Sequence, residues 1–486
     1  MKVTGIVCEY NPFHNGHKYH IEETKRKLNP DFIIGIMSGC FTQRGTPAIV
    51  DKYSRTYTAL MGGCDIVLEL PVRYATHSAE GFAAGAIGTL EATGICDSLC
   101  FGSEQGNLDD MHHIATILHD EPENYLHLLS NHLKSGISYP AAREQALTDY
   151  LGTNVSFAYE PNNILAIEYI KACIGTTITP YTIKRNDSGY HVSANSQDHT
   201  TNSSAGNSST ADTFANCDYA TNGSAGNSNT VDTFANCDYA TNGSAGNSNT
   251  VDTFANCDYT TNNSASNNSP LISAEHIRNL IYSNKKNKSN GSSTVPSSSY
   301  IQNISSYVPD YTLNKLTDTV NDTDFDKIIY YSLLKNLDTL EEYIDMSKDL
   351  AQRIRNNITS FSNKDSFIKL IKTKNYTYTR IERAIIHCVL EIKNIDTAEK
   401  KYPIPYIRVL GFKKSASQAM KLLQKNATVP VITRPARDNE LDNIGQLFLN
   451  EDIMAAEIYN HIRYMNTDSS NTLLSKNEYT HGLVIL

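Results

Sequence analysis

The first third of the chain alternates short apolar runs with longer amphipathic ones. Val3–Val7 is apolar, and an amphipathic stretch from about Lys18 to Leu28 follows it. The pairing recurs as Asp31–Met37 with Pro47–Leu60, and as Asp65–Leu70 with the Ala- and Gly-rich Ser78–Thr93. Ser98–Phe101 then precedes helical periodicity over 109–119, 123–133, 139–151 and 162–174, and Ile178–Lys184 is a fifth strand. Near-continuous apolar strands separated by helices belong to a parallel sheet covered on both faces. The pattern predicts a doubly wound α/β domain whose strand ends face one crevice. Asn162 follows Pro161, and spacing favours a helix cap over a side-chain amide that reads a base edge or ribose.

The alternation stops near Val192. From there to Pro270 the chain repeats with a period of 20, as Thr201–Ala220, Thr221–Ala240 and Thr241–Thr260. The second and third copies differ only at Ala240 against Thr260. Asn, Ser, Thr, Gly and Ala dominate, and such a composition buries too little apolar surface to offset chain entropy. A solenoid is the alternative for a short period, but two aromatics per copy make a poor core. The segment is expected to be a disordered insertion, which a surface loop tolerates at little extra closure entropy.

Periodic sequence resumes at Leu271, with a short helix predicted from Ser273 to Tyr282 and a polar loop over Ser283–Ser299. From about Asp324 the pattern is mostly helical, at 326–334, 339–343, 347–357, 364–372, 379–392, 415–423 and 452–465, with one short strand at Val429–Thr433. The expected organisation is a domain over 1–191, the insertion over 192–270, the end of that domain and a linker over 271–300, and a mostly helical C-terminal domain over 301–486.

Charge narrows this picture only slightly. The formal net charge is −10, but residues 191–270 carry seven Asp and no Lys, Arg or Glu, so removing those seven charges leaves −3 for the remainder. A near-neutral body neither excludes nor announces a nucleic-acid partner, because binding depends on a local basic patch. Lys369, Lys372, Lys374, Arg380, Arg383, Arg408, Lys413 and Lys414 cluster in the C-terminal half with Tyr376 and Tyr378 among them. Interleaved cations and aromatics could follow an RNA backbone and stack bases; a solvated helix surface is the commoner meaning of scattered Lys. The ten Cys are scattered without paired metal-site spacing, which fits reduced, buried thiols. No signal peptide opens the chain and no apolar run approaches membrane-spanning length, so a cytoplasmic protein with no membrane partner is expected.

The candidate chemistry lies between the first strand and the first helix, in Val7-Cys8-Glu9-Tyr10-Asn11-Pro12-Phe13-His14-Asn15-Gly16-His17-Lys18-Tyr19-His20. Backbone N–H groups at a helix N-terminus favour phosphate. Gly16 lets a ligand approach the backbone, and Pro12 fixes φ ahead of the turn. His14 and His17 could add hydrogen bonds to a phosphate in flight. Two ordinary loop histidines would leave the same spacing. A zinc site needs three or four ligands, and only His20 and Glu9 stand nearby, so no protein-bound metal is predicted. Ser273 with Arg278 one turn later is a second candidate phosphate contact, or a plain capped helix with a surface Arg.

Taken together these motifs resemble the bacterial tRNA(Met) cytidine acetate ligases, a branch of the nucleotidyltransferase-like, Rossmann-like α/β superfamily. The resemblance covers Glu9–His17, Met37–Lys52, Glu69–Pro71, Phe101–Glu104, Pro161–Leu165, Ile183–Arg185 with Tyr190–His191, Ile272–Arg278, Tyr378–Ile381 and Arg408–Phe412. It implies activation of acetate by ATP as acetyl-adenylate, release of pyrophosphate, and transfer of acetyl to N4 of the wobble cytidine of elongator tRNA(Met), with Mg²⁺ on the β- and γ-phosphates. It implies that His14 and His17 are catalytic. Val7–His20, Gly102, Asn162 and Arg185 would bind ATP, which moves Asn162 from cap to ligand. Arg44 and Lys52, in a loop beside the crevice, become candidate tRNA contacts. The chain departs from the family at Cys40, where Asn usually follows Met-Ser-Gly, and at Glu275, where a small polar residue is usual. The competing classes are an adenylyltransferase acting on a small phosphorylated substrate and a non-catalytic nucleotide- or RNA-binding homologue. Oligomeric state is not legible.

Overall fold

The computed structural model describes residues 1–184, 272–289, 304–395, 401–435, 441–466 and 477–486, with four two-residue strands between 219 and 254. The rest of the 20-residue repeats lies outside the described residues, as do Arg185, Tyr190 and His191.

Five parallel strands carry the N-terminal part: β1 (Val3–Cys8), β2 (Phe32–Ser38), β3 (Ile66–Leu70), β4 (Ser98–Ser103) and β5 (Thr179–Lys184). Between them run α1 (Asn15–Leu28), α2 (Lys52–Gly62), α3 (Ala79–Ala92), α4 (Leu108–Asp120), α5 (Glu123–Lys134), α6 (Tyr139–Leu151) and α7 (Pro161–Cys173). Spatial order is β3-β2-β1-β4-β5, so β1 pairs with both β2 and β4. The chain steps outward one way from β1 and then returns to step outward the other way. That reversal opens the crevice above the carboxyl ends of β1 and β4, where ligands of such sheets bind. The expected doubly wound sheet is present.

The inner strands β1 to β4 are largely apolar because helices cover both faces, whereas β5, at the sheet edge, is mostly solvent-accessible. Ile6, Ile34, Ile36, Leu68 and Leu99 are all buried to within 1% exposure. One helix begins later than its periodicity predicts: α2 starts at Lys52, not Pro47. Asp51 decides this, its Oδ1 accepting from the backbone N–H groups of Tyr53 (3.0 Å) and Ser54 (2.9 Å). The Ile49 N–H is drawn away to Asn11 Oδ1 at 2.7 Å.

The C-terminal half, expected as a mostly helical domain of its own, also extends this sheet. After α8 (Ala274–Ser289), which runs through part of the stretch expected to be loop, come α9 (Asp326–Lys335), α10 (Lys348–Asn357), α11 (Lys364–Ile371) and α12 (Tyr378–Val389). The strand β6 (Ile407–Phe412) then pairs antiparallel with β3. Next are α13 (Ser417–Asn426), β7 (Val431–Ile432), α14 (Asn443–Met465) and β8 (Val484–Ile485), with β7 and β8 both parallel to β6. Arg408 interrupts the apolar run of β6, which hides it from a hydrophobic pattern.

Arg408 is where the two halves lock. Lys52 Nζ lies 2.7 Å from Glu69 Oε1 and 2.8 Å from Glu478 Oε2; Arg408 pairs with Glu69 Oε2 at 3.2 Å and also with Glu478. All four side chains are 3% exposed or less. Two cations and two carboxylates thus cancel inside the protein. Lys52 was expected to touch tRNA; instead it is the first residue of α2 and its ammonium is consumed by this network. The C-terminal basic stretch divides between core and surface. Arg383 is buried against Asp345 at 2.9 Å, and Tyr376 and Tyr378 are core residues, while Lys372, Lys374 and Lys414 stay exposed.

Breaking one partner of a buried pair leaves an uncompensated charge, so Glu478→Ala is expected to cost about 3–5 kcal/mol in urea unfolding. Burial alone would raise the Glu478 carboxyl, but Lys52 and Arg408 outweigh it and bring it down to about 2 from its ordinary 4.5. A depressed carboxyl stabilises above its unfolded value and loses that contribution as pH falls through the folded one. The stability gap between wild type and variant should therefore shrink between pH 4.5 and pH 2. A gap that is constant over that range would contradict the network.

Candidate active site

The turn after β1 is built from residues that each satisfy a neighbour. Tyr10 takes a left-handed backbone conformation (φ 49°), and the Asn11–Pro12 peptide is cis. The Phe13 ring packs against Gly62, where a Cβ would lie 2.2 Å from it. The side chain of Asn11 holds Ile49, and its carbonyl accepts from Arg278 Nη1 at 2.6 Å. Arg278 therefore serves the turn itself, and α8 is docked beside it. Ser273 caps α8, its Oγ accepting from His276 N at 3.1 Å. The helix expected to hold phosphate is thus brought to the crevice, with its Ser used as a cap.

His14 is the N-cap of α1 and is buried. Its Nδ1 accepts from Gly16 N at 3.0 Å, and His17 Nδ1 accepts from His14 N at 3.3 Å. This is a capping box made of imidazoles. A neutral ring nitrogen that accepts cannot carry the proton, so each ring carries it on Nε2. The two rings stack at 3.8 Å and 22°, and Tyr10 meets His17 edge-on at 4.9 Å. The outcome is a rigid pair of Nε2–H donors at a helix N-terminus. Asn15 is held from the other side, its N–H and Nδ2 donating to the carbonyls of Tyr307 and Ser306 at 3.0 Å each.

The remaining residues of the stretch divide by position. Val7 and Cys8 end β1, and the Cys8 thiol is turned to Ile36 O at 3.5 Å. Glu9 Oε1 accepts from Gln43 N at 2.7 Å; burial raises its carboxyl, against the Gln43 hydrogen bond and the charges of Arg44, Arg278 and Arg55. Lys18 is exposed beside Glu22, Tyr19 is half-buried, and His20 is buried on the inner face of α1. Among the described residues no group of three or more His, Cys, Asp or Glu side chains could hold a metal ion.

Gly102 lies in β4, and the loop after it meets α7 across the crevice. Glu104 Oε1 accepts from Asn162 N at 3.1 Å and from Asn162 Nδ2, while Asn163 Oδ1 accepts from Glu104 N at 3.1 Å. Asn162 is not the cap that spacing suggested: α7 begins at Pro161 with Glu160 as N-cap, because Pro suits the first helical position. The fold brings the His pair, Gly102, Asn162 and Arg278 to the carboxyl ends of the strands. Arg185 follows β5 outside the described residues.

Three features were not legible as site residues. Arg55 is fully buried and donates to the carbonyls of Glu9 and Ser38 at 2.9 Å each and to Gly39, tying the ends of β1 and β2 together. Nothing in its helical spacing marks that role. Gly39 lies against Glu69, where a Cβ would sit 2.5 Å from Oε1. Glu104 stood inside a quoted motif but its grip on Asn162 needed the fold. Arg44 pairs with Glu275 at 3.7 Å, so the unusual Glu275 charge is matched by a neighbouring Arg. Cys40 is buried, and burial pushes its thiol up to about 12. It packs with Phe41 and Tyr459 in the core.

Comparison with known proteins agrees with this architecture. The model of the HIGH nucleotidyl transferases matches residues 1–212 and 251–473. Proteins named tRNA(Met) cytidine acetate ligase are similar over nearly the whole chain. That of Thermoanaerobacter sp. (strain X514) is 32% identical over all of both chains, and that of Clostridium acetobutylicum is 31% identical over 95% of this chain and 96% of its own. The crystal structure of Thermotoga maritima TmcAL bound with alpha-thio ATP superposes with a TM-score of 0.74 at 26% identity, covering all of both chains. The apo form gives 0.71 at 28% identity over 95% of each. The chain belongs to the HIGH nucleotidyl transferases and, within them, to the tRNA(Met) cytidine acetate ligase family.

Proposed function

We propose that this protein is an ATP-dependent ligase that activates acetate as acetyl-adenylate and acetylates N4 of the wobble cytidine of elongator tRNA(Met) in the cytoplasm. The observation that carries the chemistry is the His14–His17 pair. Two imidazoles fixed as Nε2 donors stand at a helix N-terminus, at the point where the sheet reverses its order. Family membership supports these substrates: relatives carry the ligase name, and one was solved with alpha-thio ATP.

In the proposed first step an acetate oxygen attacks the α-phosphorus of ATP and the bond to pyrophosphate breaks. His14 and His17 donate from Nε2 to phosphate oxygens as charge builds in the transition state. Their geometry is set before substrate arrives, so no reorganisation is needed at that moment. Gly16 leaves room for the phosphates, and Gly102 and Asn162 line the opposite wall, with Glu104 fixing the Asn162 side chain. Arg185, the next residue after β5, would add a forked cation to the triphosphate. Magnesium would enter as MgATP, carried mainly by substrate phosphates. In the second step the N4 amine attacks the acetyl carbonyl and AMP departs. A wobble base is reachable because it sits in a single-stranded loop.

Two measurements test this. Incubation of tRNA(Met) with ATP and labelled acetate should give N4-acetylcytidine by mass analysis of the anticodon-loop fragment, and its absence would sink the proposal. Pyrophosphate release that proceeds without acetate would point to an adenylyltransferase instead. Separately, His14→Ala and His17→Ala should each slow acetate-dependent pyrophosphate release by about 10²–10³-fold. Wild-type rates in both variants would remove the pair from the mechanism.

A further inference from the structure

A second concave site lies away from the His14–His17 turn. The start of α2, the segment near Lys315, the end of α14 and the C-terminal tail enclose a cavity of about 300 Å³, at the lower end of small-ligand pockets. Its lining is aromatic and cationic, with Tyr53, Tyr57, Tyr464, His481, Lys315 and Arg463. The Tyr53 and His481 rings are stacked at 3.4 Å and 9°. Lys315 Nζ lies 4.6 Å from the centre of the Tyr57 ring and makes no ion pair among the described residues. Asp51 and Asp318 both engage Arg463, at 3.0 and 3.7 Å. Arg463 Nε is nevertheless buried with no hydrogen-bond partner among the described residues.

Flat rings that extend a stack, beside an ammonium held over an aromatic face with no carboxylate partner among the described residues and a buried guanidinium donor, match a nucleoside phosphate. The base would lie on the aromatic lining and the phosphate on Lys315. The pocket is also tied to the turn. Asp51 is two residues from Ile49, which Asn11 holds, and Tyr311, four residues before Lys315, contacts Phe13 with ring centroids 6.0 Å apart. We propose that this pocket binds an unpaired nucleotide of the RNA substrate while its reacting cytidine enters the crevice. The proposal rests on the reading of an RNA acetyl acceptor.

The test uses the full chain and tRNA(Met). Lys315→Ala should weaken tRNA affinity about tenfold at 0.1 M salt and lower the slope of log affinity against log salt by about 0.7–0.9. His481→Ala should weaken binding by about tenfold through lost stacking, and His481→Phe, which keeps a ring, should restore most of it. Acetate-dependent pyrophosphate release without RNA should be unchanged in all three, which also shows that they fold. If the wild type binds and acetylates tRNA and the variants bind it equally well, the pocket assignment falls while the ligase reading stands. If the wild type binds no tRNA, both fall. If the variants lose only binding of free AMP, the site serves a free nucleotide and the RNA assignment is overturned.

Discussion

Four charges buried beneath the crevice hold this protein in one piece. Lys52, Glu69, Arg408 and Glu478 come from the start of α2, from β3, from β6 and from the C-terminal tail. Each charge alone would cost several kcal/mol to remove from water. Together they are neutral, and each carboxylate meets both cations. The arrangement therefore exists only when all four segments are in place. It makes the antiparallel strand β6 and the tail part of the N-terminal sheet.

The same logic shapes the end of β2. Glu69 lies against Gly39, and any larger residue there would displace its carboxylate from Lys52. Arg55, one helical turn after Lys52, then gathers the carbonyls of Glu9, Ser38 and Gly39. The loop that leads from β2 to α2 is fixed by buried cations on one side and by Asn11 on the other. This rigidity passes to the first turn, because Asn11 also receives Arg278. The site is thus preorganised from below by ion pairs and from the side by α8.

The His pair shows how local geometry becomes chemistry. A capping box ordinarily satisfies the open N–H groups of a helix start. Here imidazoles do that work with Nδ1, which forces both protons onto Nε2. Structural and chemical roles fall on opposite nitrogens of the same ring. The same ring can thus serve the helix start through Nδ1 and, in the function proposed above, donate to a substrate phosphate through Nε2.

Much of this was legible in the amino-acid order alone. Apolar runs of strand length alternating with amphipathic ones determined the parallel sheet, because burial on both faces of β1 to β4 leaves few polar positions to blur the pattern. The β1–α1 turn declared itself through Pro12, Gly16 and its histidines, and the motif set identified the family. What needed the tertiary structure were interactions between residues far apart in sequence. Lys52 looked like a surface cation until Glu69 and Glu478 were seen to neutralise it, and Arg383 and Arg408 likewise. β6 was hidden because Arg408 breaks its apolar run, a break tolerated only where Glu69 and Glu478 wait. Asn162 looked like a cap because spacing cannot show Glu104 across the crevice. Hydrophobic periodicity reports which face is buried; it cannot report a buried charge, whose partner may lie hundreds of residues away.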